Sequence, residues 1–132
     1  MAKLARKGAR NLNVSRYAVE LVRGSGFDTG LRSVFRYRPE QEEVVRDPEW
    51  MVSDIRSKGY CEGDCDDIAT LCCALLCSLG IESRLTAIQT VSNEEYDHVF
   101  SEAYTETGWT PIDITVEPGT SYTCFGVLHE AI

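Results

Sequence analysis

Gly63-Asp64-Cys65-Asp66-Asp67, running straight into Ile68-Ala69-Thr70-Leu71-Cys72-Cys73-Ala74-Leu75-Leu76-Cys77-Ser78-Leu79-Gly80, decides how this chain folds. A loop of small and acidic residues gives way to an apolar run that stops at a glycine able to take positive φ, the usual end of a helix. Asp64, Asp66 and Asp67 are residues that a helix start prefers, as caps and as first-turn acids. The run therefore predicts a helix from about Asp66 to Leu79, with Cys65 within one residue of its N-terminus. The helix is apolar nearly all round and so belongs in the centre of a domain. Unpaired N–H groups and the helix dipole at that end favour a thiolate, and the same row of donors is ready to hold an oxyanion. Asp66 and Asp67 crowd the thiol with negative charge, so at least one must turn away or act as a cap.

After Gly80 the period of the pattern changes. Ser83–Val91, His98–Thr105 and Trp109–Val116 read as strands, the last two joined by a hairpin turn at Glu106-Thr107-Gly108. Helix first and an antiparallel meander after it predict an α+β domain. The hairpin also brings two functional side chains together. With the turn centred between Thr105 and Glu106, His98 faces Asp113; with the centre one residue later, Asp113 is its diagonal neighbour. An Asp beside a His fixes the imidazole tautomer and supports the imidazolium. Cys65, His98 and Asp113 thus form a candidate nucleophile, base and orienter for acyl transfer. Tyr60, Trp50 and Gln41 are upstream side chains that could add an oxyanion donor. His129, beside Glu130 in the tail, reads as solvated.

Upstream, Val14–Val22 fits a short amphipathic helix closed by Gly24-Ser25-Gly26, Leu31–Tyr37 reads as extended, and Asp47-Pro48-Glu49-Trp50 opens a helix with Pro at its first position. Residues 1–12 read as a basic arm and 13–132 as a single domain. Lys3, Arg6, Lys7 and Arg10 place four positive charges on that arm, although the chain as a whole carries −8. An acidic body argues against nucleic acid as a main partner, apart from a contact made by the arm.

At 132 residues, with 43% hydrophobic and 26% charged residues, the chain is an ordinary single globular domain. No apolar stretch reaches the roughly 18–20 residues of a membrane span, and the basic start lacks the apolar segment of a secretion signal, so a cytoplasmic location is expected. Six cysteines invite a zinc or disulfide reading. Cys72, Cys73 and Cys77 lie among leucines and alanines on the helix and are expected to pack as small hydrophobes. Cys61 and Cys65 are the one pair spaced to close a regulatory disulfide. No cofactor and no metal are expected; a zinc site from Cys61, Cys65 and His98 is an alternative without the paired CxxC spacing such sites use.

The blocks Gly63–Asp67 with Ser78-Leu79-Gly80-Ile81, then Tyr96-Asp97-His98-Val99-Phe100, then Gly108-Trp109-Thr110-Pro111-Ile112-Asp113 resemble the transglutaminase-like superfamily over residues 55–116. The resemblance implies a papain-like core, a central helix on an antiparallel sheet, with Cys65 as nucleophile, His98 as base and Asp113 as orienter. Members include transglutaminases, peptidases, amidases and inactive relatives, and short members resemble reading frames of phages and prophages, which would place the protein in a bacterial cell or an infected host. The first reading is a thiol enzyme that hydrolyses a peptide or amide bond in a peptide or protein substrate. The alternative is a catalytically silent structural or assembly protein keeping the same fold.

Overall fold

The computed structural model describes residues 1–39, 44–92 and 95–132. Five helices, α1 (Ala2–Ala9), α2 (Leu12–Arg23), α3 (Phe27–Val34), α4 (Pro48–Lys58) and α5 (Cys65–Ser78), precede the main sheet. Two short strands, β1 (Phe35–Tyr37) and β2 (Cys61–Gly63), pair in parallel among them. The main sheet is antiparallel, with β3 (Ser83–Gln89), β4 (His98–Thr105), β5 (Gly108–Ile112) and β6 (Gly126–Ala131) in the order β5-β4-β3-β6. This is the expected α+β arrangement, a buried helix on an antiparallel sheet.

Local chemistry sets both ends of α5. Asp64 caps it by accepting from the N–H groups of Asp66 (3.1 Å) and Asp67 (3.3 Å), while Asp67 Oδ2 accepts from the Asp64 N–H at 3.0 Å. That reciprocal pair is a capping box. At the other end Gly80, at φ 78°, donates to the Cys77 carbonyl and Ile81 donates to that of Leu76, both at 3.0 Å. A left-handed glycine with these two bonds is a Schellman stop.

Every residue of α5 from Asp67 to Leu76 is buried, because the helix lies between two cores. On one side Ile68, Leu71, Cys72 and Leu75 pack with Val14, Ala18 and Leu21 of α2, Leu31 of α3 and Met51, Val52 and Ile55 of α4. On the other, Ala69 and Cys73 meet Leu85 and Val99 of the sheet together with Ala2 and Ala5 of α1. The basic arm is therefore corrected: Ala2, Ala5 and Gly8 are buried on one stripe of a helix laid against α5, while Lys7 leaves the opposite side to bond Asp47 at 2.9 Å. Small residues at three-residue spacing let α1 approach closely, and the cations remain in water.

Three other expectations are revised. Residues 31–34 continue α3, and only 35–37 are extended. The meander gains a fourth strand, since the tail pairs with β3 from Arg84↔Ala131 to Gln89↔Gly126. His129 accordingly sits on β6 rather than in a tail, yet it is exposed, as expected, with its Nδ1 2.9 Å from Thr86 Oγ1 and 3.6 Å from Glu102 Oε1. The α4 start agrees with the sequence, with Asp47 accepting from the Glu49 N–H at 2.9 Å and Pro48 in the first turn.

Candidate active site

Cys65 is the first residue of α5, and the glycine before the cap is what allows the loop to enter so tightly. A Cβ on Gly63 would stand 2.6 Å from Asp67 Oδ2 and 2.7 Å from Asp67 Cβ, closer than any side chain tolerates. The first-turn carboxylates divide as their crowding requires. Asp67 turns inward, fully buried, and also accepts from the Arg46 N–H at 2.7 Å. Burial pushes its carboxyl up to about 6, against the backbone N–H groups of Arg46 and Asp64 that favour its ionised form. Asp66 stays beside the thiol, with Sγ–H donating to Oδ1 at 3.9 Å.

The capping box also revises the expected row of oxyanion donors. Asp64 occupies the N–H groups of Asp66 and Asp67, and its carbonyl takes that of Ile68 at 3.2 Å. Of these first-turn donors, the N–H of Cys65 is the one outside the cap's reach. Among the side chains that could add a donor, Trp50 is 72% exposed and borders a separate groove with Glu49 and Ser53. Tyr60 carries the Arg36 guanidinium 3.6 Å above its ring. Gln41 lies outside the described residues.

His98 opens β4, and Asp113 comes directly after the last residue of β5. The hairpin register runs from Ser101↔Ile112 to Thr105↔Gly108, so its centre lies one residue beyond Thr105–Glu106 and Asp113 is the diagonal neighbour of His98. The pair closes through His98 Nε2 and Asp113 Oδ2 at 2.6 Å. Cys65 and His98 line one cleft of about 510 Å³, with Asp66, Tyr96 and Asp97. The imidazole is raised from 6.5 to about 9, first by its hydrogen bond to Asp113 and next by one with Cys65, against burial, which lowers it. Since Nε2 is committed to Asp113, Nδ1 is the ring nitrogen left for a partner elsewhere. The three residues expected from the sequence are thus brought together at one point.

Asp113 is held from several directions. Its Oδ1 accepts from the Thr115 N–H at 3.0 Å and the Thr115 hydroxyl at 2.7 Å. Its carbonyl accepts from Arg32 Nη2 at 2.7 Å, and Arg32 Nη1 donates to the Val116 carbonyl. Burial would push the Asp113 carboxyl up, yet the bonds from His98, Tyr122 and Thr115 outweigh it and hold the group below the usual carboxylate range. Tyr122, whose hydroxyl donates to Asp113 Oδ2, is a site residue that sequence reasoning missed. It lies in the irregular segment between β5 and β6, where no periodicity points to it.

Among the described residues, no group of three or more His, Cys, Asp and Glu side chains is arranged to hold a metal ion. The zinc arrangement of Cys61, Cys65 and His98 therefore has no geometric counterpart. All six cysteines are free, and Cys61 is buried in β2 with its thiol pushed up to about 12, first by burial. No helix among the described residues is long and apolar enough to cross a membrane.

A thiol at the start of a central helix, beside an imidazole–carboxylate pair on an antiparallel sheet, defines the papain-like fold class. Residues 27–114, well over half the chain, match the family described as the transglutaminase-like superfamily, and the chain belongs to that superfamily. A proposed cysteine protease from Cytophaga hutchinsonii, solved by crystallography, superposes with a TM-score of 0.58 at 15% identity, over 90% of this chain and 50% of that one. At that identity the likeness is one of fold, and this chain spans half the length of that structure. No curated protein matches the sequence.

Proposed function

We propose that the protein is a thiol-dependent acyl-transfer enzyme of cysteine-protease type, hydrolysing a peptide or amide bond, with Cys65 as nucleophile, His98 as general base and acid, and Asp113 as orienter. The observation that carries this reading is the placement of the imidazole: its Nε2 is held on Asp113 at 2.6 Å, and it lines one cleft with the Cys65 thiol. An imidazole raised to about 9 is cationic at neutral pH, and a cation beside a thiol at a helix N-terminus is the setting in which thiolates form.

In the first half-reaction Cys65 reacts as a thiolate beside the His98 imidazolium, which already holds the proton, and the sulfur attacks the substrate carbonyl carbon. The resulting oxyanion is met by the Cys65 N–H, and on its collapse the C–N bond breaks. His98 returns its proton to the departing amine, leaving an acyl thioester on Cys65. Water, deprotonated by His98, then attacks the thioester, and the acid leaves as the C–S bond breaks. An amine in place of water would make the same enzyme a transferase.

Limited iodoacetamide at neutral pH, read by mass spectrometry, tests this reading without a known substrate. Cys65 should be carbamidomethylated well ahead of Cys124, the exposed cysteine, and His98→Ala should remove the advantage. Labelling of Cys65 no faster than Cys124 would leave the silent structural reading in its place.

A further inference from the structure

We propose that Tyr122 is a positioning residue of this site: its hydroxyl donates to the Asp113 oxygen that His98 uses, and so locks the carboxylate onto the imidazole. This rests on the roles given above to Cys65, His98 and Asp113.

The first support is the way the carboxylate is filled. A carboxylate has about four lone-pair directions. At Asp113 two are taken on Oδ1 by Thr115, one on Oδ2 by His98 at 2.6 Å, and one on Oδ2 by Tyr122. The phenol oxygen is also 3.4 Å from His98 Nε2, so acid, base and hydroxyl meet around a single oxygen atom. Because Asp113 is buried, a lone pair left open there would have to turn toward water or go unsatisfied.

The second support is that the hydroxyl is aimed by its ring. Tyr122 stacks on Phe100 with centroids 5.2 Å apart and planes 16° from parallel, and it lies 5.5 Å from the His98 ring. Register places Phe100 and His98 on the same face of β4, two residues apart. The strand that carries the base thus also carries the platform for the tyrosine, and the two side chains keep a fixed spacing.

The electrostatic surroundings give the sign of the effect. Around Asp113 stand Arg32 and its partner Asp28 from α3, His98 from β4, Cys65 and Cys72 from α5, and Tyr122 from the segment before β6. Burial works against the carboxylate, and the donors Tyr122 and Thr115 join His98 in opposing it. The phenol is itself pushed far above 10, first by burial and then by its bond to Asp113, so it remains a donor throughout the range in which His98 titrates. Removing the hydroxyl takes away one of these donors, and the carboxylate should then protonate at a higher pH.

The test is Tyr122→Phe, which keeps the ring on Phe100, in two measurements. Carbon NMR titration of the Asp113 carboxyl should show its midpoint raised by about one pH unit, a tenfold change in the protonation equilibrium. The pH profile of Cys65 alkylation should shift its acid limb upward with it, with the plateau rate much less affected. An Asp113 midpoint unchanged from wild type would overturn the proposal, even with Cys65 fully reactive. An inert wild-type Cys65 together with a shifted Asp113 would instead keep Tyr122 in its place and remove the enzymatic reading. In the wild type alone, a Tyr122 phenol carbon titrating near 10, as an unperturbed tyrosine does, would equally overturn it.

Discussion

Arg32 of α3 holds the backbone of Asp113 rather than its carboxylate, with Nη2 on the carbonyl oxygen at 2.7 Å and Nη1 on that of Val116. The guanidinium fork pins the chain just where β5 ends, and Asp28 fixes the fork through Nε at 2.7 Å. Arg32→Met keeps the apolar stem and removes the fork. It should destabilise the fold by about 2 kcal/mol, as for a hydrogen bond to a charged group, and should lower the His98 midpoint because Asp113 is no longer held to it. A denaturation midpoint equal to wild type would show that the fork is dispensable.

Asp113→Asn tests the carboxylate itself. The strongest influence raising His98 is its bond to Asp113, so its midpoint should fall from about 9 toward 6.5 in a histidine NMR titration. On any identified substrate, turnover should drop heavily without vanishing; in serine enzymes built on the same logic the loss is about 10⁴-fold. Unchanged turnover would remove Asp113 from the mechanism.

The same shift predicts a pH dependence of stability. Folded His98 binds its proton to about pH 9, and an unperturbed histidine only to about 6.5. Its stabilisation is fully present below 6.5 and is lost as pH rises through about 9. Asp113, held low, contributes with the opposite sense: present above its ordinary value of 3.8 and lost in acid. Urea titrations of wild type and His98→Phe should therefore diverge most between about pH 4 and 6.5, narrow through neutrality and converge toward about pH 10. Curves that stay parallel would contradict a raised imidazole.

Gly8 tests the closeness of α1 to the core. Gly→Ala within a helix ordinarily stabilises by roughly 0.5–1 kcal/mol. Here the new Cβ would meet Pro48 Cβ at 2.9 Å and Ala74 Cβ at 3.1 Å, neither of them on a flexible side chain. Overpacking of this kind costs about 1–3 kcal/mol, so the net effect should be destabilising. A Gly8→Ala variant more stable than wild type would mean that α1 can move off α5 without loss.

Replacing Cys72, Cys73 and Cys77 together by Ala should cost about 2 kcal/mol through lost burial and small cavities. Cys72 and Cys73 are fully enclosed, and burial is the main cause pushing both thiols up. The alkylation rate of Cys65 should not change. A slower Cys65 in the triple variant would tie these thiols to the site.

The sequence exposes what is local. The Asp64 cap, the unbroken apolar run and Gly80 define α5 to within a residue, and the hairpin limits Asp113 to two positions relative to His98, one of which is found. The features that escape it depend on distant partners. Ala2, Ala5 and Gly8 look like an indifferent tail until α5 is there to receive them; their three-residue spacing is the available signal. Gly126–Ala131 is too short and too mixed to read as a strand without β3 beside it. Tyr122 sits in no repeating pattern, and its place is set only by the path of the segment between β5 and β6. The first turn of α5 misleads for a different reason, since the acids that announce a helix start also use up its N–H groups.

The strand order β5-β4-β3-β6 has a consequence in time. Cys65 and His98 leave the ribosome before Asp113 and Tyr122, and the segment carrying Tyr122 is tied down at its far end only when β6 docks along β3. A nascent chain therefore holds its thiol and imidazole for a while without the pair that sets them. The triad proposed above is thus completed last, by the part of the chain that follows β4 and is closed by the pairing of β6 with β3.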